Sequence, residues 1–149
     1  MDNKIKETEK LFKKACQLFN NKNYKEAKEN YELVSKNCTE LEKSNINLIN
    51  YGFDKPLCLA QIARCYLMEK DIENAIAYFQ NSINLRPMAD TISDLVNIYY
   101  LELKDFNNVL KYSKIYMESP HIQIKDEYYE NIIKTLKHIA RTFDNKEIQ

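Results

Sequence analysis

Apolar residues along this chain recur every three or four positions, the spacing that places them on one side of an α-helix. The first such stripe is Leu11, Ala15 and Leu18, and it predicts a helix from about residue 4 to residue 20. Six further stripes follow and predict six more helices. They are Ala27, Tyr31, Val34, Cys38 and Leu41; Leu59, Ile62, Ala63 and Tyr66; Ala75, Ile76, Phe79 and Ile83; Ile92, Leu95, Val96 and Tyr99; Val109, Tyr112 and Tyr116; and Tyr129, Ile132, Ile133, Leu136, Ile139, Ala140 and Phe143. The pattern predicts an all-α fold of antiparallel helix pairs.

Each predicted pair is joined at a short polar segment that contains a lysine, namely Lys22, Lys70 or Lys104. The last two lysines are 34 residues apart (104 − 70), and the first two are 48 apart (70 − 22). A period of about 34 residues is typical of stacked helical repeats. The 14 extra residues (48 − 34) fall in an irregular, asparagine-rich stretch at 44–54, which predicts an insertion before the third helix.

Residues with a special role at helix ends support these boundaries. A short polar side chain follows each lysine and is suited to accept a backbone N–H bond as the cap of the next helix. These residues are Asn23, Asp71 and Asp105. Proline is tolerated in the first turn of a helix and ends one that precedes it. We therefore expect Pro56 to start the third helix, and Pro87 and Pro120 to end the fourth and sixth.

Residues 56–87 resemble a tetratricopeptide repeat. The pattern of that family has large residues and a small one on the first helix, followed by alanine, an aromatic residue and proline on the second. Small residues let two helices cross at close range. The matching residues are Leu59, Ile62, Ala63 and Tyr66, then Ala75, Phe79 and Pro87. The chain resembles the same repeat once before and once after this segment.

The earlier repeat matches at Leu11, Ala15, Leu18, Tyr24, Ala27 and Tyr31. The later one fits at Tyr100 and Phe106, but Asn97, Val109 and Ser113 replace the small residue, the alanine and the aromatic. The resemblance implies a right-handed superhelical α-α solenoid in a single domain. Its parts would be repeat 1 at about 8–41, an insertion at about 42–55, repeat 2 at about 56–87, repeat 3 at about 90–119, and a capping helix at about 124–143.

Proteins of this family are interaction modules, so the resemblance implies a non-catalytic adaptor or scaffold. Such a module binds an extended or helical segment of another protein in a concave groove lined by the first helix of each pair. The groove residues would be Phe12, Cys16, Phe19, Asn20, Gln61, Arg64, Met68, Asp94, Ile98 and Tyr128. Two alternatives stay open, since the apolar members would also suit ordinary packing and Arg64 would also suit an ion pair with Asp94.

A second hypothesis is a structural or assembly subunit. Its C-terminal helix would dock through Ile139 and Phe143 into a homo-oligomer or a larger complex. Binding of chaperone tails is not expected. The branch of the family that clamps a C-terminal carboxylate uses two lysines, two asparagines and an arginine, which would neutralise the buried charge. The matching places here hold Phe12, Thr91, Cys16, Gln61 and Leu95.

Composition narrows the functional class. The chain has 149 residues, and its 22 Lys and Arg balance 22 Asp and Glu. Nucleic-acid binding normally needs a clustered positive excess, so no nucleic-acid partner is expected. A chain with one glycine can hardly build a phosphate-binding loop. With no nucleophile motif either, we expect neither an enzyme nor a cofactor.

The cysteines and histidines show no metal-binding or disulfide spacing. No C-x-x-C motif joins Cys16, Cys38, Cys58 and Cys65, which predicts free, buried thiols. His121 and His138 lie near no cysteine or acid at metal-ligand spacing. No apolar run is long enough for a membrane span, and the N-terminus lacks a secretory signal. These features favour a cytoplasmic location.

Overall fold

The computed structural model describes residues 2–120, 122 and 126–148, with side chains up to 144; His121 lies outside these residues. This part of the chain has seven α-helices and no strand, which confirms the all-α prediction. The helices are α1 (Asp2–Asn20), α2 (Tyr24–Lys43), α3 (Lys55–Met68), α4 (Ile72–Leu85), α5 (Ala89–Asn97), α6 (Phe106–Glu118) and α7 (Glu127–Ile148). A short 3-10 turn (Ile49–Tyr51) precedes α3, and α5 continues as a π-helical stretch (Ile98–Glu102).

The chain divides into two compact units, Met1–Leu85 and Arg86–Gln149. The first contains α1 to α4 and the second α5 to α7. Among the described residues, the structure has no helix with the length and apolarity needed to cross a membrane.

The turns at the three lysines share a left-handed backbone. Lys22 and Lys70 both have φ of 65°, and Lys104 has φ of 51°. In the first unit the Asn23 amide donates to the Leu18 carbonyl (2.8 Å), and the Asp71 amide donates to the carbonyl five residues before it (2.9 Å). A left-handed residue just beyond a helix end is a common way to satisfy its last carbonyls, and glycine is the usual choice. Lysine fills that role three times here.

The predicted caps are confirmed at two of the three turns. One carboxylate oxygen of Asp71 accepts from the Asn74 amide (3.3 Å), and one of Asp105 accepts from the Asn108 amide (3.2 Å). In both, the second oxygen accepts from the side-chain amide of the same asparagine. The prediction for Asn23 is wrong, because its side chain makes no cap bond. The two side chains that do cap are aspartates, and a carboxylate makes stronger hydrogen bonds to backbone N–H groups than a neutral amide does.

In the first unit α1 and α2 run antiparallel, since residues late in α2 contact residues early in α1. The Asn37 side chain donates to the Thr8 hydroxyl (3.2 Å), and the Tyr31 hydroxyl donates to the Cys16 sulfur (3.3 Å). Four alanines of the repeat pattern are fully buried, which lets the helices pack closely. They are Ala15, Ala27, Ala63 and Ala75.

The insertion folds back onto the first unit. Leu48 and Phe53 are each 2% exposed and join a core cluster with Val34 and Cys38. Gly52 has φ of 78°, a conformation that glycine adopts without steric cost. Asp54 then caps α3 by accepting from the Leu57 amide (3.2 Å).

The second unit has a tyrosine-rich core. The rings of Tyr99 and Tyr112 stack at 5.8 Å, and both residues are buried. Tyr116 donates from its hydroxyl to an oxygen of Asp126 (2.6 Å), which also accepts from the Tyr129 amide at the start of α7. The hydrogen bonds that Asp126 accepts hold the first turn of α7 against α6.

Candidate functional site

The predicted groove residues of α1 lie on one side of that helix, with different degrees of exposure. Phe12, Cys16 and Phe19 are half-buried, and Asn20 is exposed. The Phe12 ring lies 5.9 Å from the ring of Tyr31 and 6.1 Å from that of Phe53. Phe12 therefore joins the repeat core to the insertion, and only part of its ring is open to a partner.

Cys16 accepts a hydrogen bond at the edge of this core. Its donor is Tyr31, whose pKa is raised by burial and by the bond to the Cys16 sulfur. The other three cysteines are buried free thiols. The hydrogen bond with Cys38 and burial raise the pKa of Cys58, and burial raises the pKa of Cys65 to about 12. Cys58 and Cys65 are therefore protonated at neutral pH and poorly suited to act as nucleophiles.

The predicted residues of α3 form a polar patch that ends in an exposed thioether. Arg64 donates from Nη1 to the side-chain oxygen of Gln61 (2.9 Å), and both side chains are half-buried. The guanidinium carbon of Arg64 lies 5.9 Å from the ring centroid of Phe79, within cation–π range. Met68 is 53% exposed at the end of the helix. The α3 patch thus combines a fixed cation with a flexible apolar side chain.

A contact between α2 and the end of α3 was not predicted. The Nζ atom of Lys28 lies 4.1 Å above the ring of Tyr66 and forms an ion pair with Glu69. Burial lowers the pKa of Lys28, but the hydrogen bond and the charge of Glu69 outweigh it, so the pKa is raised. Because Lys28 and Glu69 are 41 residues apart, no local spacing signals this contact.

In the second unit the three predicted groove residues differ in exposure. Asp94 and Tyr128 are half-buried, whereas Ile98 is only 3% exposed. Ile98 therefore offers almost no surface to a partner in this conformation. Of the two α7 residues in the assembly hypothesis, Ile139 is 3% exposed and Phe143 is 50% exposed. The ion pair between Arg64 and Asp94 stays a prediction.

His138 of α7 contacts an aromatic side chain. One of its ring nitrogens, Nδ1, shares a hydrogen bond with the Tyr100 hydroxyl, and the two rings meet edge to face at 5.6 Å. Within the described ranges, no three His, Cys, Asp or Glu side chains are grouped so that they could hold a metal ion.

Comparisons of the chain with models of protein families, with curated proteins and with solved structures gave no significant match.

Proposed function

We propose that this chain is a tetratricopeptide-like solenoid that binds an extended or helical segment of another protein and carries out no catalysis. The observation that carries the proposal is the set of partly exposed groove residues on the first helices of two consecutive hairpins, which we call the α1 and α3 face. It offers half-buried aromatic rings, a fixed arginine and an exposed methionine. Aromatic residues, methionine and arginine are enriched where proteins bind one another.

The packing order in the first unit supports the repeat assignment. Its strongest helix contacts are α1 with α2, α2 with α3 and α3 with α4, so each helix packs mainly on its neighbours in sequence. Sequential packing of this kind is typical of stacked repeats. The recurrence of the lysine turn at Lys22 and Lys70 supports it as well.

The chemistry of the face favours a partner segment with both apolar and hydrogen-bonding groups. Met68 adapts its shape to an apolar side chain because the thioether chain is unbranched and flexible. Arg64, which is oriented by Gln61, can donate to a carbonyl or carboxylate of the partner. Asn20 adds an exposed side-chain amide at the end of α1. A cytoplasmic location is part of the proposal and would keep the four thiols reduced.

Affinity purification from the native cell, followed by mass spectrometry, tests the proposal. The double variant Arg64→Glu with Met68→Glu should lose the partners that the unchanged chain recovers. Leu33→Glu, at a 50% exposed position of α2, is the matched control and should retain them. The variant Phe12→Ala with Arg64→Glu probes the α1 side, with circular dichroism to verify folding. Unaltered recovery of every partner by both double variants would remove this face from consideration.

A second candidate function is assembly through the second unit. Phe143 of α7 is 50% exposed, and Leu101 and Leu103 are 64% and 49% exposed. Sedimentation velocity of the unchanged chain and of Phe143→Asp distinguishes this candidate. Self-association that depends on Phe143 supports it, and a strict monomer at high concentration contradicts it.

A further inference from the structure

A cavity of about 240 Å³ opens on the first unit between α2, α3 and α4. Its apolar surface comes mainly from Leu59, which is half-buried, because Ile62 behind it is only 1% exposed. Leu59 and Arg64 are five residues apart, or about 140° around the helix axis. The cavity therefore lies on a different side of α3 from the Arg64 and Met68 patch.

The rim of this cavity carries two cations. Lys36 of α2 and Lys55 of α3 line it together with Glu32 and Tyr78. Neither lysine forms an ion pair with any side chain that the structure describes. Lys55 is the first residue of α3 and directly follows the Asp54 carboxylate that caps this helix. With two lysines and one glutamate, the rim keeps a charge of +1 (2 − 1).

The size of the cavity limits what can enter. Its volume corresponds to roughly eight water molecules at about 30 Å³ each. Pockets for drug-sized ligands and cofactors hold about 300–1,000 Å³. One large side chain suits the space better than a cofactor does. Burial raises the pKa of Tyr78, so its hydroxyl stays neutral and can hydrogen-bond beside that side chain.

We propose that this cavity takes one large apolar side chain of a partner protein, with an acidic residue next to it in the partner lying between Lys36 and Lys55. An apolar anchor in a pocket contributes most of the affinity at many interfaces. The carboxylate supplies the charge that the two lysines lack in the described part of the chain, and so selects acidic segments. This site goes beyond the function proposed above, because it uses neither Arg64 nor Met68.

Short peptides test both parts of the proposal on the full chain. The probe is acetyl-Gly-Glu-Phe-Glu-Gly-amide, followed through backbone amide NMR shifts. Amides around Lys36, Lys55 and Tyr78 should shift and saturate. Replacing Phe by Ala in the peptide should weaken binding about tenfold or more, since a buried aromatic side chain is lost. Replacing both Glu by Gln should weaken it about threefold, in line with exposed ion pairs.

Variants of the chain separate the two contributions. Lys36→Gln with Lys55→Gln should remove the preference for the Glu peptide and leave the preference for Phe over Ala. Lys14→Gln with Lys25→Gln removes the same charge at two exposed positions and should change neither preference. Thr39→Phe, which fills the cavity from α2, should abolish the shifts. Circular dichroism of each variant verifies that it is folded.

Several outcomes overturn the proposal. One is the absence of saturable shifts at the lining residues, and another is a set of shifts centred on Arg64 and Met68. A third is an equal loss of the preference for the Glu peptide in the Lys36 and Lys55 variant and in the Lys14 and Lys25 variant. Tighter binding of free 3-phenylpropionate than of the peptide would show a small-molecule site instead. The test is independent of the α1 and α3 face, because Arg64→Glu with Met68→Glu should leave peptide binding at this cavity unchanged.

Discussion

Equivalent positions in the two units hold side chains of different size. Ala75 and Phe79 of α4 correspond to Val109 and Ser113 of α6, because a step of 34 residues relates both pairs. All four are buried, but the Phe79 ring is replaced in the second unit by a hydroxymethyl group. The Ser113 hydroxyl has no hydrogen-bond partner among the residues that the structure describes. The 34-residue step therefore relates positions whose side-chain packing differs between the two units.

The helix before the third turn also differs. In the first unit the Asp71 amide reaches back five residues to a carbonyl, whereas in the second the Asp105 amide reaches back six, to Tyr99 (2.8 Å). The π-helical stretch Ile98–Glu102 accommodates this longer step between the amide and the carbonyl. Tyr99 is placed against Tyr112, and this stacked pair supplies aromatic contact in a core that lacks a ring at position 113. Two units can thus share a turn and differ in core packing.

The largest effect is expected from removing the ring that only the first unit has. Phe79→Ala should lower the free energy of unfolding by about 3–5 kcal/mol, because it leaves a cavity in a close-packed core. Urea denaturation followed by circular dichroism measures this change. Leu33→Ala, at an exposed position of α2, should change stability by less than about 0.5 kcal/mol. A loss below 1 kcal/mol for Phe79→Ala would contradict the assigned packing.

A smaller loss of stability is expected when the side chain at the helix crossing of one unit is replaced by that of the other. Ala75→Val, which copies the second unit, should cost about 1–3 kcal/mol because the crossing has no room for extra methyl groups. Val109→Ala should also destabilise, because it opens a void at a position that is 0% exposed. Both changes are measured by thermal unfolding. If Ala75→Val were neutral, close approach at the alanines would not be the feature that distinguishes the first unit.

The third test uses pH. Tyr116 of the second unit corresponds to Ser82 of the first, 34 residues earlier. The hydrogen bond from Tyr116 lowers the pKa of Asp126 below its ordinary 3.8. A lowered pKa contributes stability that is present above the unfolded value and is lost as pH falls through the folded value. Tyr116→Phe should cost about 1 kcal/mol at pH 7, since the carboxylate lies near the surface.

This cost should shrink as the pH falls below 4, and NMR should show the pKa of Asp126 rising towards its ordinary value in Tyr116→Phe. The matched change in the first unit is Ser82→Ala, which removes a neutral hydrogen bond from the Ser82 hydroxyl to the Pro56 carbonyl (2.7 Å). The cost of Ser82→Ala should not vary in this pH range. A pH-independent cost for Tyr116→Phe would rule out Asp126 as its partner in solution.

Local patterns predicted much of this fold. The apolar stripes gave the helices, because helical periodicity depends on neighbours three and four residues apart. Asp71 and Asp105 were predicted as caps for the same reason. Asn23 does not cap its helix although its position is equivalent, and it is the one neutral side chain among the three predicted caps. The sequence did not predict the π-helical stretch, because the 34-residue spacing gives the number of residues between turns and not which carbonyl each amide binds.

Contacts between distant residues were beyond the reach of the sequence. The contact of Phe53 with Phe12 depends on how the insertion folds back, and its irregular sequence does not specify this. The ion pair of Lys28 with Glu69 joins helices of different hairpins. The cavity with Lys36 and Lys55 on its rim requires three helices to be placed together. Met68, on the predicted side of α3, is 53% exposed, while the buried state of Ile98 depends on packing within the second unit.

A gain of stability is expected at the unpaired hydroxyl. Ser113→Ala should raise the free energy of unfolding by about 1 kcal/mol, because a buried polar group without a partner is costly. Ser82→Ala, where the hydroxyl has a partner, should have the opposite sign and similar size. Chemical denaturation of both variants gives the comparison. A lower free energy of unfolding for Ser113→Ala would mean that the Ser113 hydroxyl is hydrogen-bonded in solution.

The smallest effect concerns the turn that both units share. Lys70→Gly and Lys104→Gly should each stabilise the chain by about 0.5–1 kcal/mol, because glycine adopts a positive φ without the steric cost that lysine has. The gain is limited by the greater freedom of glycine in the unfolded chain. Lys14→Gly, inside α1, should instead cost about 1 kcal/mol. Equal gains at φ of 65° and 51° would show that the turn is equivalent in both units. A loss at Lys104 alone would show that the π-helical stretch before it fixes a different turn in solution.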